Sequence, residues 1–90
     1  MRVDLFLKVS RLVPRRTVAQ QLCESGAVKL NNAAVKSSHE VREGDLLSVR
    51  TRSRITTCRV LKIPGRSLSK ADASTLYETI STESADNRLL

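Results

Sequence analysis

The sequence predicts an α+β fold in which two N-terminal helices pack on a small antiparallel sheet, with a C-terminal helix after the sheet. Apolar residues first recur three and four positions apart, then alternate with polar ones from about residue 28, and return to helical spacing after residue 65. The chain has 90 residues, of which 40% are hydrophobic but only 2% aromatic. It therefore builds one small domain with an aliphatic core.

The first helix is predicted from Val3 and Leu7, which are four residues apart and therefore share a helical face. Pro14 ends this element because the residue before a proline avoids helical geometry. A second helix is expected over residues 15–25, where apolar residues again recur at helical spacing. Gly26 ends that helix, since glycine adopts a positive φ at the least cost.

Alternating apolar and polar residues predict short strands over residues 28–30, 33–36, 46–51 and 55–63. Asn31 and Asn32 predict a tight turn between the first two strands, because asparagine tolerates left-handed backbone geometry. The C-terminal helix is predicted over residues 69–80. We therefore divide the chain into a domain over residues 1–64 and a C-terminal helix with an acidic, partly disordered tail over residues 65–90.

The basic residues are concentrated in the first part of the chain. The sequence has 16 Lys and Arg residues against 9 Asp and Glu residues, which gives a formal net charge of +7. Residues 1–70 contain 15 of the basic residues and 5 of the acidic ones, so the remainder is net acidic. A surplus of this size predicts a polyanionic partner, and the distribution places its binding surface within the first 70 residues.

The densest basic cluster surrounds the predicted corner between the first two helices. It consists of Arg2, Lys8, Arg11, Arg15 and Arg16. Arginine suits phosphate because its planar guanidinium forms paired hydrogen bonds to phosphate oxygens. Thr17 and Gln20 add neutral donors on the second helix, and Lys29 and Lys36 extend the patch from the strands. A solvated basic surface without a partner is the less favoured interpretation, because like charges at this density repel one another.

The type of nucleic acid is indicated by what the sequence lacks. Proteins that bind single strands usually stack bases on exposed aromatic residues, but Phe6 lies among apolar residues and Tyr77 lies in the acidic segment. This favours folded RNA, recognised by its shape and its phosphates. A DNA-reading helix-turn-helix is a weaker interpretation, because the second helix offers mainly Gln20, Gln21 and Glu24 to base edges.

A second basic group lies in the predicted late hairpin. It consists of Arg50, Arg52, Arg54 and Arg59. If one strand continued through the first three of these residues, their alternate spacing would place them on one side. Two interpretations remain open: a second binding surface, or a charged strand edge that prevents aggregation.

No catalytic constellation emerges from the sequence, so we expect no enzymatic activity. His39 has an acidic neighbour, but adjacency in sequence is not the geometry of a catalytic triad. Asp4 stands beside Arg2 and is expected to be ionised and structural. Cys23 and Cys58 fall in apolar patterns and are predicted to be core residues rather than nucleophiles.

Metal and membrane sites are also not expected. Two separated cysteines and one histidine cannot supply the four ligands of a zinc site, and we expect no cofactor. Charged residues interrupt the first nine positions, so no signal peptide is predicted, and no stretch reaches the roughly 20 apolar residues of a membrane span. We expect a cytoplasmic monomer. A generic basic module for anionic membranes or acidic proteins remains an alternative.

An ordered series of segments in the first half of the chain has a known counterpart. It comprises RVDLFLK at residues 2–8, RL at 11–12, RRT at 15–17, alanine at 19, GAVKLN at 26–31, VK at 35–36, and valine at 41 followed by GD at 44–45. From residue 1 to about 50, this series resembles the S4-type RNA-binding domain, which is also called the alpha-L motif. The resemblance implies an RNA-binding surface that includes Arg2 and Arg16 as main contacts, with Lys8, Arg11 and Arg15 beside them.

Over the whole length, the start MR, FLKVSRL at residues 6–12 and LYE at 76–78 resemble the RqcP family of bacterial proteins, relatives of heat-shock protein fifteen. The resemblance implies a non-enzymatic, ribosome-associated factor that binds the large subunit carrying an obstructed peptidyl-tRNA. Such a factor contacts the large-subunit rRNA and the P-site tRNA, and supports RqcH-dependent alanine tailing of the stalled nascent chain. The RNA-binding residues are then predicted to be Arg2, Lys8, Arg11, Arg15, Arg16, Thr17, Gln20 and Lys36.

Two alternative functions are also compatible with this resemblance, and two residues depart from the family pattern. One alternative is a factor like heat-shock protein fifteen, which recycles free large subunits with nascent chains. That protein has a longer basic C-terminal extension, whereas this chain ends in an acidic segment. The other is an accessory that works in trans with an RNA-modifying enzyme. The departures are Asn32, where the family usually has glycine, and Cys23, where it has a branched aliphatic residue.

Overall fold

The computed structural model describes residues 1–65 and 70–84, which form two N-terminal helices, an antiparallel sheet and a short helical segment between its last two strands. The elements in chain order are α1 (Val3–Val9), α2 (Arg16–Glu24), β1 (Val28–Leu30), β2 (Ala33–Ala34), β3 (Leu46–Arg50), β4 (Arg54–Val60), α3 (Lys70–Ala73), a 3₁₀ helix (Ser74–Leu76) and β5 (Tyr77–Ser84). The α+β class and the two helices followed by a sheet are as predicted.

The five strands form one sheet in the order β2-β1-β3-β4-β5, and every neighbouring pair is antiparallel. The inner face of this sheet carries the alternate apolar residues of β1, β3 and β4, which are buried: Val28, Leu30, Leu47, Val49, Cys58 and Val60. Phe6 and Leu7 of α1 and Ala19 of α2 are fully buried in the same cluster. The helices therefore cover the inner face, and the core is aliphatic with one aromatic ring.

The corner between α1 and α2 begins earlier than Pro14. Helix α1 ends at Val9, and Arg11 has a φ of 63°, a left-handed conformation that cannot continue a helix. The backbone N–H of Arg11 donates to the carbonyl of Lys8 at 3.0 Å, and that of Val13 donates to the carbonyl of Leu7 at 3.0 Å. These bonds close a tight turn, so the corner is held by hydrogen bonds as well as by proline.

The asparagine turn has the predicted geometry. Asn31 and Asn32 have φ values of 52° and 71°, which are the left-handed values that a two-residue hairpin turn requires. Glycine at the second position would adopt this conformation with less strain, but asparagine tolerates it. The side-chain oxygen of Asn31 also accepts a hydrogen bond from the N–H of Leu46 at 3.0 Å, which ties the turn to β3.

The prediction of a helix over residues 69–80 is wrong for its last third. Helical geometry ends at Leu76, and Tyr77 to Ser84 form β5, which pairs with β4 from end to end except at a bulge at Ile80. Without β5, β4 would present a row of unpaired backbone groups at the edge of the sheet. This long-range pairing outweighs the local helical spacing, and the β-branched Thr79 and Ile80 suit a strand. The rest of the predicted tail, residues 85–90, lies outside the described residues.

Candidate nucleic-acid interface

A buried carboxylate organises the start of the two helices. Asp4 has no exposed surface, and its two oxygens accept hydrogen bonds from three side chains. Arg2 donates from Nε to Oδ1 and from Nη2 to Oδ2, both at 3.2 Å. Arg16 donates from Nε to Oδ2 at 3.4 Å, and Gln20 donates from Nε2 to Oδ2 at 3.0 Å. We call these four residues the Asp4 cluster.

The Asp4 cluster keeps its carboxylate ionised. Burial alone would raise the pKa of Asp4. The hydrogen bond from Gln20, the positive charges of Arg16 and Arg2 and a backbone hydrogen bond from Leu5 outweigh that effect, so the pKa lies below its ordinary value. At neutral pH the cluster therefore holds one negative and two positive charges, with a net charge of +1.

Short-range features of the sequence place these four side chains together. Arg2 directly precedes α1 and Asp4 lies in its first turn, while Arg16 begins α2 and Gln20 lies one turn later on the same face. The start of α1 is held by backbone bonds from Val3 to the carbonyl of His39 at 2.7 Å and from Asp4 to the carbonyl of Ser37 at 3.2 Å. The cluster therefore rests on a fixed backbone.

The two arginines keep their outer ends available. The side chains of Arg2 and Arg16 are 46% and 39% exposed, although both contact a carboxylate that is fully buried. Within the described part of the chain, the remaining Nη donors of both residues make no hydrogen bond to protein. Two guanidinium groups are thus held side by side in a preset orientation, which lowers the entropic cost of binding a phosphate.

The other predicted residues surround this cluster without joining it. Arg15 and Thr17 flank Arg16 in the sequence and are exposed. Lys8 is exposed on α1, one turn beyond Asp4 on the same face. Lys36 is exposed and immediately precedes the segment that is hydrogen-bonded to the start of α1.

Two of the predicted residues have a different setting from the one expected. Gln20 is half-buried and gives its amide nitrogen to Asp4, so it positions the carboxylate. Arg11 lies at the corner and lines a separate cavity together with Arg54 of β4. We did not predict from the sequence that Asp4 is the common acceptor of these side chains. The signal for it is a carboxylate that lies within the apolar face of α1.

The second basic group does not form one surface. Strand β3 ends at Arg50 and β4 begins at Arg54, so Arg52 lies in the loop between them. Arg50 follows the buried Val49 and points to the outer face, whereas Arg54 shares the inner face with Cys58. Arg59, near the other end of β4, donates from Nη1 to the carbonyl of Gly44 at 3.1 Å. The charged-edge interpretation is wrong for Arg50, Arg54 and Arg59, because β3 and β4 both lie inside the sheet, between β1 and β5.

The two cysteines are unsuited to nucleophilic chemistry. Both are free and buried. Burial raises the pKa of Cys23 to about 11, with smaller contributions from the charges of Asp4 and Glu24. Burial alone raises the pKa of Cys58 to about 11. At neutral pH both thiols therefore remain protonated, which makes them poor nucleophiles.

Neither a metal site nor a membrane-spanning helix is present in residues 1–65 and 70–84. Among these residues, no group of three or more His, Cys, Asp or Glu side chains is arranged to hold a metal ion. In the same ranges, no helix combines the length and the apolar character that crossing a membrane requires.

The sequence and the fold are both similar to those of known proteins. Residues 1–47 match the model of the S4 domain. Over 87% of the chain the sequence is 42% identical to a Halalkalibacterium halodurans protein named RQC P-site tRNA stabilizing factor, of which 88% is covered. The Bacillus subtilis protein of that name is 36% identical over 92% of this chain and 95% of its own. The trimeric structure of heat shock protein 15 from Vibrio cholerae has a TM-score of 0.81 and 26% identity, covering 90% of this chain and 82% of that one.

Proposed function

We propose that this chain, which belongs to the S4 domain family and is a homologue of the RQC P-site tRNA stabilizing factors, is a non-enzymatic RNA-binding protein of ribosome quality control. It binds the large ribosomal subunit that carries an obstructed peptidyl-tRNA, and contacts the rRNA and the P-site tRNA. In this way it supports RqcH-dependent alanine tailing of the stalled chain. The protein acts as a cytoplasmic, ribosome-associated monomer.

The observation that carries this proposal is the Asp4 cluster. A fully buried carboxylate aligns two half-exposed arginines whose outer donors have no protein partner among the described residues. Paired donors in a fixed orientation match the oxygens of a phosphate group. Arg15 and Lys8 add positive charge on either side, so the surface follows a phosphate backbone rather than a single phosphate.

Recycling of free large subunits with nascent chains is the second candidate function, and the similarity to heat shock protein 15 favours it. Both functions act on a large subunit that carries a nascent chain, so they differ in the outcome and not in the particle that is bound. A tailing factor increases the amount of alanine that RqcH adds to the stalled chain, whereas a recycling factor does not. Alanine addition that is unchanged when this protein is left out would favour the recycling role.

The proposal is tested by co-sedimentation with large subunits that carry peptidyl-tRNA, over a series of salt concentrations. Arg16→Ala removes one guanidinium, and we expect about tenfold weaker binding because a charge-assisted hydrogen bond contributes about 1.5 kcal/mol or more. The slope of log affinity against log salt falls in magnitude by about 0.7–0.9, the value of one phosphate contact. Arg16→Lys also weakens binding, because an ammonium group cannot form the paired contact.

The matched control is Arg50→Ala, which removes the same charge from the outer face of β3, away from the Asp4 cluster. We expect this variant to bind within about twofold of wild type, since rim charges act mainly through long-range attraction. Circular dichroism establishes that each variant is folded. Unchanged binding of Arg16→Ala, or an equal loss in Arg50→Ala, would contradict the assignment of the interface to the Asp4 cluster. Binding that survives ribonuclease treatment would indicate a partner other than RNA.

A further inference from the structure

A cavity of about 410 Å³ lies between the corner that follows α1 and the far ends of β3, β4 and β5. It is within the ~300–1,000 Å³ range of ligand-binding clefts. Its lining includes two arginines, one tyrosine and several hydroxyl side chains: Arg11, Arg54, Tyr77, Thr56, Thr79 and Thr82. We call this cavity the hydroxyl groove. It is separate from the Asp4 cluster, although Arg11 lies on the corner that joins the two helices.

The hydroxyl groove is formed by a change of residue type along the inner face of the sheet. Near the helices the inner positions of β4 are the buried Val60 and Cys58. One inner position further along, β4 has Thr56, which pairs with Thr82 of β5, while Thr79 pairs with Cys58. The same face thus passes from an apolar surface under the helices to a row of hydroxyl groups beyond them. A sheet that only needed to bury its face would not require this change.

The charges of the hydroxyl groove indicate its partner. Arg11 and Arg54 contribute two positive charges, and no carboxylate is present among the described residues that line the cavity. Threonine hydroxyls both donate and accept hydrogen bonds, so they can pair with phosphate oxygens and with the ribose 2′-hydroxyl. This combination fits a length of RNA backbone better than an acidic peptide, which offers only acceptor carboxylates in its side chains.

The backbone of Arg11 supports a binding role for its side chain. Arg11 has a φ of 63°, a conformation that glycine adopts freely and that costs other residues about 1 kcal/mol or more. A large cationic residue therefore stands where a small one would be less strained. The corner requires the left-handed conformation, as many helix ends do, but it does not require an arginine, so the backbone does not explain the cationic side chain.

We propose that the hydroxyl groove is a second RNA-backbone site, in which Arg11 and Arg54 bind phosphate and the threonines bind phosphate or ribose hydroxyl groups. This proposal rests on the proposed function for the identity of the polyanion. Together with the Asp4 cluster, the groove extends the RNA-binding surface from the start of the helices, around the corner, to the tip of the β3–β4 hairpin. It also gives Arg54 a role that the sequence alone left open.

The first test compares Arg54→Ala with Arg50→Ala in co-sedimentation with large subunits carrying peptidyl-tRNA. Both arginines are exposed and stand at the same end of the hairpin, but Arg54 points to the inner face and Arg50 to the outer face. The backbone carbonyl of Arg54 accepts hydrogen bonds from Thr51, and these bonds do not depend on the side chain. We expect five- to tenfold weaker binding for Arg54→Ala and less than a twofold change for Arg50→Ala.

The second test uses nuclear magnetic resonance of the free protein with two probes, tetrauridylate and a tetraglutamate peptide. We expect tetrauridylate to shift the amide signals of Thr56, Thr79 and Thr82, and to leave the signals of Ser48 and Arg50 on the outer face unchanged. Equal shifts with tetraglutamate would overturn the assignment to RNA and indicate an acidic protein partner. Thr56→Val keeps the branched shape of the side chain and should reduce the tetrauridylate shifts at least twofold.

These experiments separate the failure of this inference from the failure of the proposed function. If wild-type protein does not bind the particles, the proposed function is wrong, and the resonance shifts still report on the groove. If wild type binds and Arg16→Ala weakens binding, but Arg54→Ala behaves like Arg50→Ala, the second site is wrong and the Asp4 cluster stands. Absence of shifts at the three threonines with tetrauridylate would likewise overturn the second site.

Discussion

Replacing Asp4 by asparagine tests whether the buried carboxylate holds the interface together. Asn has nearly the same shape, so no cavity opens, but one oxygen becomes an NH₂ group. In one orientation of the amide this group faces Nε of Arg2, and in the other it faces Arg2 Nη2, Arg16 and Gln20. Whichever way the amide turns, its NH₂ group therefore faces at least one N–H donor of a neighbouring side chain. The two arginines also lose their counter-charge.

The loss of stability in Asp4→Asn depends on how exposed the two arginine partners of Asp4 are. Removing one member of a fully buried ion pair costs about 3–5 kcal/mol. Here Arg2 and Arg16 are 46% and 39% exposed, so water solvates the freed guanidinium groups and offsets part of that cost. We expect a loss of about 2 kcal/mol in the free energy of unfolding. For a domain of this size, that corresponds to a fall in Tm of roughly 10 °C.

The assay is thermal unfolding followed by circular dichroism, with Glu24→Gln as the control. Glu24 is an exposed acid on α2, so its neutralisation should change stability by less than about 0.5 kcal/mol. The variant Asp4→Asn, measured at a temperature where it is folded, should also bind ribosomal particles more weakly, because Arg2 and Arg16 lose their preset orientation. A Tm within 2 °C of wild type together with unchanged binding would refute the reasoning.

The pH dependence gives an independent check on Asp4. Its pKa in the folded protein is lowered, so the carboxylate binds protons less readily when folded than when unfolded. This contribution to stability is complete above the unfolded pKa of about 3.9, and is lost as pH falls from there through the folded pKa. The difference in Tm between wild type and Asp4→Asn should therefore narrow below about pH 4. A difference that stays constant down to pH 2 would show that the charge of Asp4 is not responsible.

Two further predictions concern the core and the C-terminal segment. The thiols of Cys23 and Cys58 should react with a disulfide reagent at least about 100-fold more slowly than a free cysteine at neutral pH, because burial raises their pKa from 9.0 to about 11 and so lowers the thiolate fraction. Rapid modification of the folded protein would contradict their burial. Leu76→Ala should lower the free energy of unfolding by about 2–5 kcal/mol, whereas Ile80→Ala should cost much less, because Leu76 is buried and Ile80 is 49% exposed. If urea denaturation gives similar losses in the free energy of unfolding for the two variants, both residues lie on one buried helical face and the strand assignment of Ile80 is wrong.

The elements that the sequence predicted well depend on neighbours in the chain. Helices α1 and α2 follow from apolar residues at helical spacing, and the ends of α2 were predicted to within one residue. The turn at Asn31 and Asn32 follows from the backbone preference of asparagine. The assignment of Arg2 and Arg16 as RNA contacts rests on the composition of the corner and on the resemblance to a known RNA-binding domain, and it stays a prediction.

The sequence pattern does not predict that the four residues of the Asp4 cluster come together. Asp4 was expected to be ionised and structural, but Arg16 and Gln20 reach it from positions 12 and 16 residues away. The angle at which α2 crosses α1 decides whether these side chains meet. That angle is set by packing in the core and not by any local residue preference.

The sequence by itself determined the basic character of the surface, the helical corner and the alternation that directs apolar residues to the inner face of the sheet. These features depend on charge, on proline and on periodicity, which act within a few residues. Tertiary structure alone decided that Tyr77 to Ser84 form a strand, and that Arg50 and Arg54 point to opposite faces. Both outcomes depend on the pairing of β4 with its neighbours β3 and β5. A strand is stabilised by hydrogen bonds to residues distant in sequence, whereas a helix forms its backbone hydrogen bonds within itself.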